Sequence, residues 1–353
     1  MKTPRENGRP AADGGTRSRR PRMRDVADLA KVSLGTVSRV INDNATVTEP
    51  IRRRVLEAAQ TLGFVPDQIA RSLRTQASRV IGCLVPDVSN PLYAEIVGAA
   101  EEVLHTSGYN LVLASSRFRH DVELDILDVF KSRRLDGLIA AVTRDRDEKT
   151  IAAIRSLSFP IVLIERDLPH PTDSVVTDHA SGMKQAVDYL LALGHRRIGV
   201  LTAPESIFTG RQRAAGLRAA HAAAHVAVDA SITVYGGFEG EQAYNTAYGM
   251  LMSASPPTAI VAGASEMIGV LKAARILALT VPRDLSVIVI GDTPLAELYS
   301  PALTAVRWDV GRVGSIAAQL LLGKLAKSSA ELRRIILPTE LLIRHSCTVP
   351  KLR

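Results

Sequence analysis

Residues 33–42 combine hydroxyl, small and basic side chains at a spacing that suits contact with nucleic acid bases. Val37, Val40 and Ile41 recur at helical spacing and predict a short helix with one apolar face. The polar residues then lie at the start or on the outer face of this helix, where arginine and hydroxyl groups can hydrogen-bond to base edges in a DNA major groove. The candidate base-reading residues are Ser33, Leu34, Gly35, Thr36, Ser38, Arg39 and Asn42.

A preceding helix and a turn must position this segment. Val26, Ala27 and Ala30 form a second apolar stripe that ends at a short turn, so two helices can pack face to face. Ser33 is the predicted N-cap of the second helix. The alternative is an ordinary helical hairpin with a solvated basic face and no role in DNA binding.

Two segments carry a resemblance to a known family. Residues 25–27, Asp-Val-Ala, and residues 36–42, Thr-Val-Ser-Arg-Val-Ile-Asn, resemble the headpiece of the LacI/GalR family of bacterial repressors. The resemblance implies a helix-turn-helix that binds double-stranded operator DNA. One position differs, because the family usually has glycine in the turn where Lys31 stands. A lysine there would be strained if its backbone is left-handed.

A third helix and a short linker helix follow. Thr48 is the predicted N-cap of the third helix and Gly63 its C-cap. Residues 66–74 predict a helix too short to persist alone in water. In the resembling family this is a hinge helix that pairs with its copy in a homodimer, with Leu73 wedged into the minor groove and Ala70 between the two hinges. The alternative for Leu73 is a linker leucine packed on its own domain.

Positive charge is concentrated at the N-terminal end. Residues 1–79 hold sixteen Lys and Arg against eight Asp and Glu, whereas residues 80–353 hold twenty-eight of each. A basic module on a neutral body is typical of nucleic-acid binding, because Lys and Arg release the counterions condensed on phosphates. A merely solubilising surface does not explain this asymmetry. Residues 1–22 are rich in Arg, Gly and Pro and predict a disordered arm, unless translation starts at Met23.

Cysteine usage and hydropathy exclude several protein classes. Only Cys83 and Cys347 are present, which excludes a disulfide framework and a cysteine-based metal site. No apolar run approaches the roughly 20 residues that span a bilayer, and the N-terminus lacks the apolar region of a signal peptide. We therefore expect a cytoplasmic, nucleoid-associated protein with no membrane partner, no metal and no cofactor.

From residue 78 the pattern changes to alternating strands and helices. Two successive series of this alternation predict two doubly wound parallel sheets. The resemblance to the LacI/GalR family continues through motifs such as residues 85–91 and 281–287, and it covers roughly residues 22–346. The expected fold class is an all-α helix-turn-helix headpiece plus an α/β body of two doubly wound parallel-sheet lobes of periplasmic-binding-protein type.

The expected organisation has four parts. They are a disordered basic arm at 1–22, a DNA-binding headpiece at 23–65, a hinge helix and linker at 66–78, and a two-lobed effector-binding and dimerisation domain at 79–346. Lobe 1 is expected at about 79–176 and 307–330, and lobe 2 at about 177–306 and 331–346. The chain would then cross between the lobes near Thr177, Val306 and Ala330.

The resemblance also implies an effector cleft between the lobes, at the carboxyl ends of the strands. Arg211 occupies, by motif matching, the place of the arginine that clamps the effector, and its guanidinium can hold hydroxyls or a carboxylate bidentately. Phe238 and Tyr93 are expected to face the effector, with burial in the core as the alternative for each ring. Asp292, after the last strand of lobe 2, is the fourth candidate.

Acidic positions usual in sugar-binding members of the family are absent. Gly263 and Ala264 stand where those proteins carry Asn-Asp, and Gly291 stands where they carry Asp. Carboxylates accept hydrogen bonds from sugar hydroxyls, so their loss weakens the case for a plain neutral sugar. The hypothesis is an anionic effector, such as a sugar acid or a phosphorylated sugar, held by Arg211.

Two other function classes compete with DNA-binding regulation. A dinucleotide-dependent enzyme fails on motifs, because residues 85–87, Val-Pro-Asp, stand where a Gly-x-Gly-x-x-Gly would follow the first strand. A transport-type binding protein predicts an export signal and leaves the basic headpiece unexplained. We therefore expect a non-enzymatic, homodimeric transcriptional regulator, a repressor of a catabolic operon, whose small-molecule effector either releases or recruits DNA.

Overall fold

The structure, a computed structural model, describes six ranges of the chain, which are residues 21–41, 46–64, 77–133, 135–236, 241–326 and 331–351. They belong to two compact units, residues 1–77 and 78–353. Most of the predicted arm and most of the predicted hinge lie outside these ranges. No helix within them is long and apolar enough to cross a membrane.

The first unit is built from short amphipathic helices. In its described part these are α1 (Met23–Ala30), α2 (Leu34–Ile41) and α3 (Glu49–Leu62). Their apolar stripes meet in one small core, formed by Val26, Ala27, Ala30, Val37, Val40, Val55 and Ala58. Helices of eight residues are not stable alone in water, so this shared core is what keeps α1 and α2 folded.

The ends of these helices follow the sequence closely, with one exception. Lys31, in the turn between α1 and α2, has a left-handed backbone with φ of 52°. Ser33 caps α2 through its Oγ, which accepts the backbone N–H of Thr36 at 3.1 Å. Thr48 occupies the N-cap position of α3, but the predicted side-chain cap is wrong, because its side chain makes no capping hydrogen bond. Pro50, at the second helical position, has no N–H to donate to it.

In the second unit, lobe 1 is built on a parallel sheet. Its strands are β1 (Val80–Val85), β2 (Asn110–Ser115), β3 (Gly137–Ala140), β4 (Ile161–Ile164), β5 (Asp173–Thr177) and β11 (Arg334–Leu337). Their order is β11-β5-β4-β3-β1-β2. The helices that accompany them are α4 (Pro91–Thr106), α5 (His120–Ser132), α6 (Glu148–Arg155) and α12 (Val310–Leu325).

Lobe 2 repeats this plan with one antiparallel strand. Its strands are β6 (Ile198–Thr202), β7 (Thr233–Tyr235), β8 (Ala259–Gly263), β9 (Ser286–Ile290), β10 (Thr304–Arg307) and β12 (Glu340–Leu342). Their order is β12-β10-β9-β8-β6-β7, and β12 runs antiparallel to β10. The helices are α7 (His179–Ala192), α8 (Phe208–Ala223), α9 (Gln242–Leu251), α10 (Ala264–Ile276) and α11 (Pro294–Leu298). The central strands β6, β8 and β9 are buried throughout, as expected for parallel strands covered on both faces.

The passages of the chain between the lobes correct one expected boundary. Two passages lie at residue 178, between β5 and α7, and at residues 308–309, between β10 and α12. The expected third passage near Ala330, which assigned residues 331–346 to lobe 2, is wrong. β11 pairs with β5 in lobe 1, with Ile335 beside Val175, so the chain passes at residues 338–339. The open hydrogen-bonding edge of β5 recruits β11, a pairing that no local sequence pattern reveals.

Candidate DNA-reading helix and ligand cleft

One face of α2 has no contact with the headpiece core. Val37 and Val40 are buried, whereas Leu34, Gly35 and Arg39 are exposed. Thr36 and Ser38, also predicted to read bases, are half-buried. The outward face of α2 therefore combines a guanidinium, hydroxyl groups and an apolar side chain, the groups that can meet guanine edges, mixed edges and thymine methyls.

Two of the predicted DNA-binding residues also shape the start of α2. The Oγ of Ser33 accepts the N–H of Thr36 and lies 2.9 Å from its Oγ1, so these hydroxyls order the first helical turn. A Cβ at Gly35 would meet only the Oγ of Ser33, at 3.7 Å, so packing alone does not require glycine there. Asn42, Ala70 and Leu73 lie outside the described residues.

A cavity of about 140 Å³ lies between the two lobes. It is lined by residues that follow strands of both sheets, such as Asp87 after β1, Thr143 after β3 and Ala203 after β6. Ligands of doubly wound proteins bind at the carboxyl ends of parallel strands, and here two such edges face each other. The cavity is therefore a site for a small molecule.

Tyr93 is the one predicted effector residue that the described structure brings to this cavity. It is half-buried, and its hydroxyl accepts a hydrogen bond from Nη2 of Arg166 at 3.4 Å. Phe238 lies outside the described residues; Gly236, two residues before it, lines the cavity. Arg211 and Asp292 do not line the cavity, and both have other partners.

Arg211 was expected to clamp the effector, but the structure places it away from the cavity lining. Its Nη1 and Nη2 lie 2.9 and 3.0 Å from the two carboxylate oxygens of Asp145, and Nη2 also lies 2.5 Å from Asp167. Both aspartates belong to lobe 1, whereas Arg211 lies on α8 of lobe 2. The arginine therefore joins the lobes outside the cavity, and these contacts raise its pKa against the effect of partial burial.

Asp292, also expected to bind the effector, likewise lies away from the cavity lining. Both of its carboxylate oxygens pair with the guanidinium of Arg344, at 2.7 and 2.9 Å. Gly291, with φ of 105°, turns the chain away from the end of β9 just before Asp292. The side chain therefore serves an ion pair within lobe 2 and does not face the effector cavity.

Arg213, two residues after Arg211, lines the cavity and was not predicted from the sequence. Two helical positions are about 200° apart, so Arg211 and Arg213 face opposite sides of α8. Gly210, Gly216 and Leu217 are buried, and their spacing would have placed Arg213 on the inner face. Arg213 is 8% exposed, its Nη1 donates to Oγ1 of Thr202 at 3.1 Å, and burial lowers its pKa.

A buried polar cluster forms the floor of the cavity where the chain passes between lobes. Glu165 accepts hydrogen bonds from Oγ1 of Thr177 at 2.5 Å and from Nε2 of His179 at 2.7 Å. Burial lowers the pKa of His179, which favours the neutral ring, whose Nδ1 accepts when Nε2 donates to Glu165. The ring of Trp308 meets His179 edge-on, with centroids 5.3 Å apart. This floor offers a ligand both a donor and an acceptor.

Several buried polar atoms of the cavity have no partner within the protein. They are Oγ1 of Thr143, Nδ1 of His179, Nε of Arg213 and Nε1 of Trp308. Buried polar groups are normally paired, so these four mark the cavity as a place where hydrogen bonds to a ligand can form. The ranges that the structure covers hold no group of three or more His, Cys, Asp or Glu that could bind a metal.

Two family models match the chain. The one described as "Bacterial regulatory proteins, lacI family" matches residues 22–67, and the one described as "Periplasmic binding protein-like domain" matches residues 187–347. The HTH-type transcriptional regulator DegA of Bacillus subtilis (strain 168) is 32% identical over 327 residues, which cover 91% of this chain and 96% of the relative.

Solved structures show the same architecture. The lac repressor dimer bound to operator and the anti-inducer ONPF has a TM-score of 0.82 and 25% identity, over 94% of this chain and 100% of that chain. The complex of the transcriptional regulator CelR with cellobiose has a TM-score of 0.70 and 28% identity, and the match covers 93% of this chain and 100% of that chain. Together with the two observed sheets, these matches confirm the predicted fold class.

Proposed function

This chain belongs to the LacI family of bacterial transcriptional regulators and is not an enzyme, and we propose that it is a repressor that binds a pseudo-palindromic operator as a homodimer. A small-molecule effector would control it from the cavity between the lobes. The observation that carries the effector role is the set of four unpartnered polar atoms in that cavity. Because its target is chromosomal DNA, the protein would act in the cytoplasm at the nucleoid.

The proposed DNA contacts lie on α2. Leu34, Gly35 and Thr36 would meet bases from the first turn, and Ser38 and Arg39 from the outer face. Ser33 would position them through its cap of the helix. The remaining proposed contacts, Asn42, Ala70 and Leu73, rest on the family resemblance alone, with Leu73 as a minor-groove wedge.

Arg39→Ala tests whether α2 reads bases. We expect a loss of about 1–3 kcal/mol in operator binding, confined to sites with the cognate base at one position, because an arginine that pairs with guanine supplies sequence discrimination. Fluorescence anisotropy on operator variants measures it. Arg53→Ala, which removes an exposed arginine of α3, is the matched control. Equal weakening on every sequence would make Arg39 a phosphate contact instead.

Homodimerisation is proposed because each chain has one reading helix and an operator with two half-sites needs two. Effector and DNA would then be linked through the lobes. A ligand that binds one lobe arrangement better than another shifts the populations and so changes the separation of the two headpieces. The same linkage gives induction or corepression according to which arrangement the ligand prefers.

The proposed effector is a sugar, a sugar acid or a sugar phosphate, and the proposed target is a catabolic operon. The cellobiose complex of the structural neighbour supports a sugar ligand. The argument for an anionic ligand depended on Arg211, which pairs with Asp145 and Asp167. Sugar acids and sugar phosphates are therefore tested beside neutral sugars in the ligand panel.

Binding to the DNA upstream of its own gene tests the proposal. Fluorescence anisotropy at two salt concentrations should show sequence-selective binding above a salt-dependent background. One compound from a panel of neutral sugars, sugar acids and sugar phosphates should shift that binding, and the direction of the shift gives the sign of the coupling. Equal affinity for all DNA sequences under every condition would contradict the proposed function.

A further inference from the structure

Glu266 brings a carboxylate to the cavity from an unexpected position. It lies in the first turn of α10, and its side chain folds back over Gly263, at the end of β8. A Cβ built at Gly263 would lie 2.2 Å from Oε2 of Glu266 and 3.4 Å from Nη1 of Arg213. Glycine at 263 thus leaves room for this carboxylate, and both charged groups approach the same point of the backbone.

Glu266 and Arg213 present an acceptor and a donor side by side. The Nε–H of Arg213 is buried without a partner, whereas its Nη1 donates to Thr202. Burial raises the pKa of Glu266, and the charge of Arg213 opposes that rise. A ligand with adjacent hydroxyls can donate to the carboxylate and accept from the guanidinium.

Part of the cavity lining, around Leu92, is apolar. A Cβ built at Gly291 would lie 2.7 Å from Cδ1 of Leu92, so a leucine of lobe 1 covers this glycine of lobe 2. Ile96 and Ile290 line the same cavity. A hydroxyl packed against these three side chains would meet only carbon atoms of theirs, and burying an unpaired hydroxyl is unfavourable. A methyl or methylene group fits there instead.

The charges that line the cavity disfavour an anionic ligand. Among the described residues that line it are three carboxylates, those of Asp87, Glu165 and Glu266, and two guanidinium groups, those of Arg166 and Arg213. Arg166 is already engaged, because it donates to the backbone oxygens of Val142 and Glu165 and to the hydroxyl of Tyr93. An added carboxylate or phosphate would therefore meet an excess of negative charge in a site of low dielectric.

We propose that the cavity selects an uncharged polyol with an apolar edge, of the deoxy-sugar type, and that Glu266 determines this specificity by gripping adjacent hydroxyls together with Arg213. The proposal rests on the proposed function, since it concerns the effector of the same regulator. The proposed effector is thus neutral and not anionic. The preference for a neutral ligand is assigned to Glu266 in α10 and to Gly263, which leaves space for its side chain.

The test uses the full-length chain and sugars that differ in one group. D-fucose, D-galactose and D-galacturonate carry CH₃, CH₂OH and COO⁻ at the same carbon, and L-rhamnose and L-mannose form a second deoxy and hydroxyl pair. Isothermal titration calorimetry should show at least one deoxy sugar binding about tenfold tighter than its hydroxyl partner and than the acid. Tighter binding of D-galacturonate than of D-fucose and D-galactose would overturn the proposal.

Glu266→Gln then tests the assignment. The variant should bind the preferred neutral sugar about tenfold more weakly, and the difference in affinity between this sugar and the sugar acid should become smaller. The amide keeps the shape of the carboxylate but loses its charge. Glu148→Gln, which changes an exposed glutamate of α6, should leave both affinities unchanged. Unchanged affinities in Glu266→Gln would also overturn the proposal.

The outcome for the proposed function is read separately. If Glu266→Gln does not fold, the sugar panel on the wild type still decides the ligand class. Selective operator binding with no response to any of these sugars would contradict the polyol ligand while leaving the DNA-binding function intact. Loss of selective operator binding in the wild type would contradict the proposed function itself.

Discussion

Glu123 on α5 is a carboxylate buried beneath the cavity. Its Oε2 accepts the backbone N–H of Thr143 at 2.6 Å, and its Oε1 has no partner. Burial raises the pKa of Glu123 to about 7, with the backbone hydrogen bond from Thr143 and the charge of Arg166 opposing the rise. Since the ordinary value is 4.5, the folded chain binds more protons than the unfolded chain between these two values. The free energy of unfolding therefore falls as the pH rises from about 4.5 to about 7, and it stays lowered above that range.

Glu123→Gln should remove this pH dependence. An amide accepts the same hydrogen bond from Thr143 without ionising, so at pH 8 the variant should be about 3 kcal/mol more stable than the wild type. At pH 4.5 the two should be nearly equal. Urea unfolding at both pH values measures the difference, and Asp125→Asn, on the exposed side of the same helix, controls for the lost charge. A variant that gains no stability relative to the wild type between these pH values would refute the buried-carboxylate account.

At the scale of elements, the turn between α1 and α2 holds a non-glycine residue in a left-handed conformation. Lys31 has φ of 52° and ψ of 49° because the N–H of Val32 must reach the carbonyl of Ala27, at 3.0 Å, to close α1. An L-residue with a Cβ is disfavoured there by about 1 kcal/mol relative to glycine. The packing of the two helices imposes this strain on a residue that lies outside their core.

Lys31→Gly should relieve the strain. We expect the headpiece to gain about 0.5–1 kcal/mol, less than the full strain because glycine also makes the unfolded chain more flexible. Thermal unfolding followed by circular dichroism measures the change in the headpiece transition. Lys31→Ala is the matched control, since it removes the same charge but keeps the Cβ. Equal stability of the two variants would show that the left-handed backbone is not strained in this turn.

At the scale of the molecule, one ion-pair cluster joins the two lobes beside the cavity. Asp145, fully buried, pairs with both outer nitrogens of Arg211 and accepts the N–H of Phe208 at 2.8 Å. Lobe 1 thereby caps the N-terminus of α8 in lobe 2, where the N-cap residue Ile207 provides no side-chain cap. Because Arg213 on the same helix faces the cavity, α8 connects ligand contacts to the arrangement of the lobes.

Arg211→Met should loosen the lobes. Removing one partner leaves the Asp145 charge buried, and the partial exposure of Arg211 limits the loss to about 2 kcal/mol. The double variant with Asp145→Asn should recover part of this loss, so a double-mutant cycle in urea gives the coupling energy. Spin labels on the two lobes should show a broader distance distribution in Arg211→Met.

Arg218→Met is the control, because it removes an exposed ion pair from the same helix and should change stability by less than about 0.5 kcal/mol. A coupling energy near zero would mean that the cluster does not hold the lobes together.

Features that depend on local periodicity could be predicted from the sequence. The headpiece helices, the outward face of α2 and the alternation of strands and helices all follow from apolar spacing over a few residues. The predicted alternation of strands and helices from residue 78 is observed in both lobes. Family resemblance and charge asymmetry then indicated a DNA-binding regulator, and the family matches support that class.

Only the tertiary structure decided which side chains meet in the cavity. The orientation of α8 about its axis places Arg213, rather than Arg211, at the cavity. This orientation depends on how the helix packs against both lobes. Asp292 pairs with Arg344, which lies 52 residues later in the sequence, and β11 pairs with β5, which lies far earlier in the sequence. Glu266 reaches the cavity only because Gly263 leaves it space. The sequence by itself determined the class of protein, since local patterns specify helices and strands, whereas long-range packing determined the chemistry of the site.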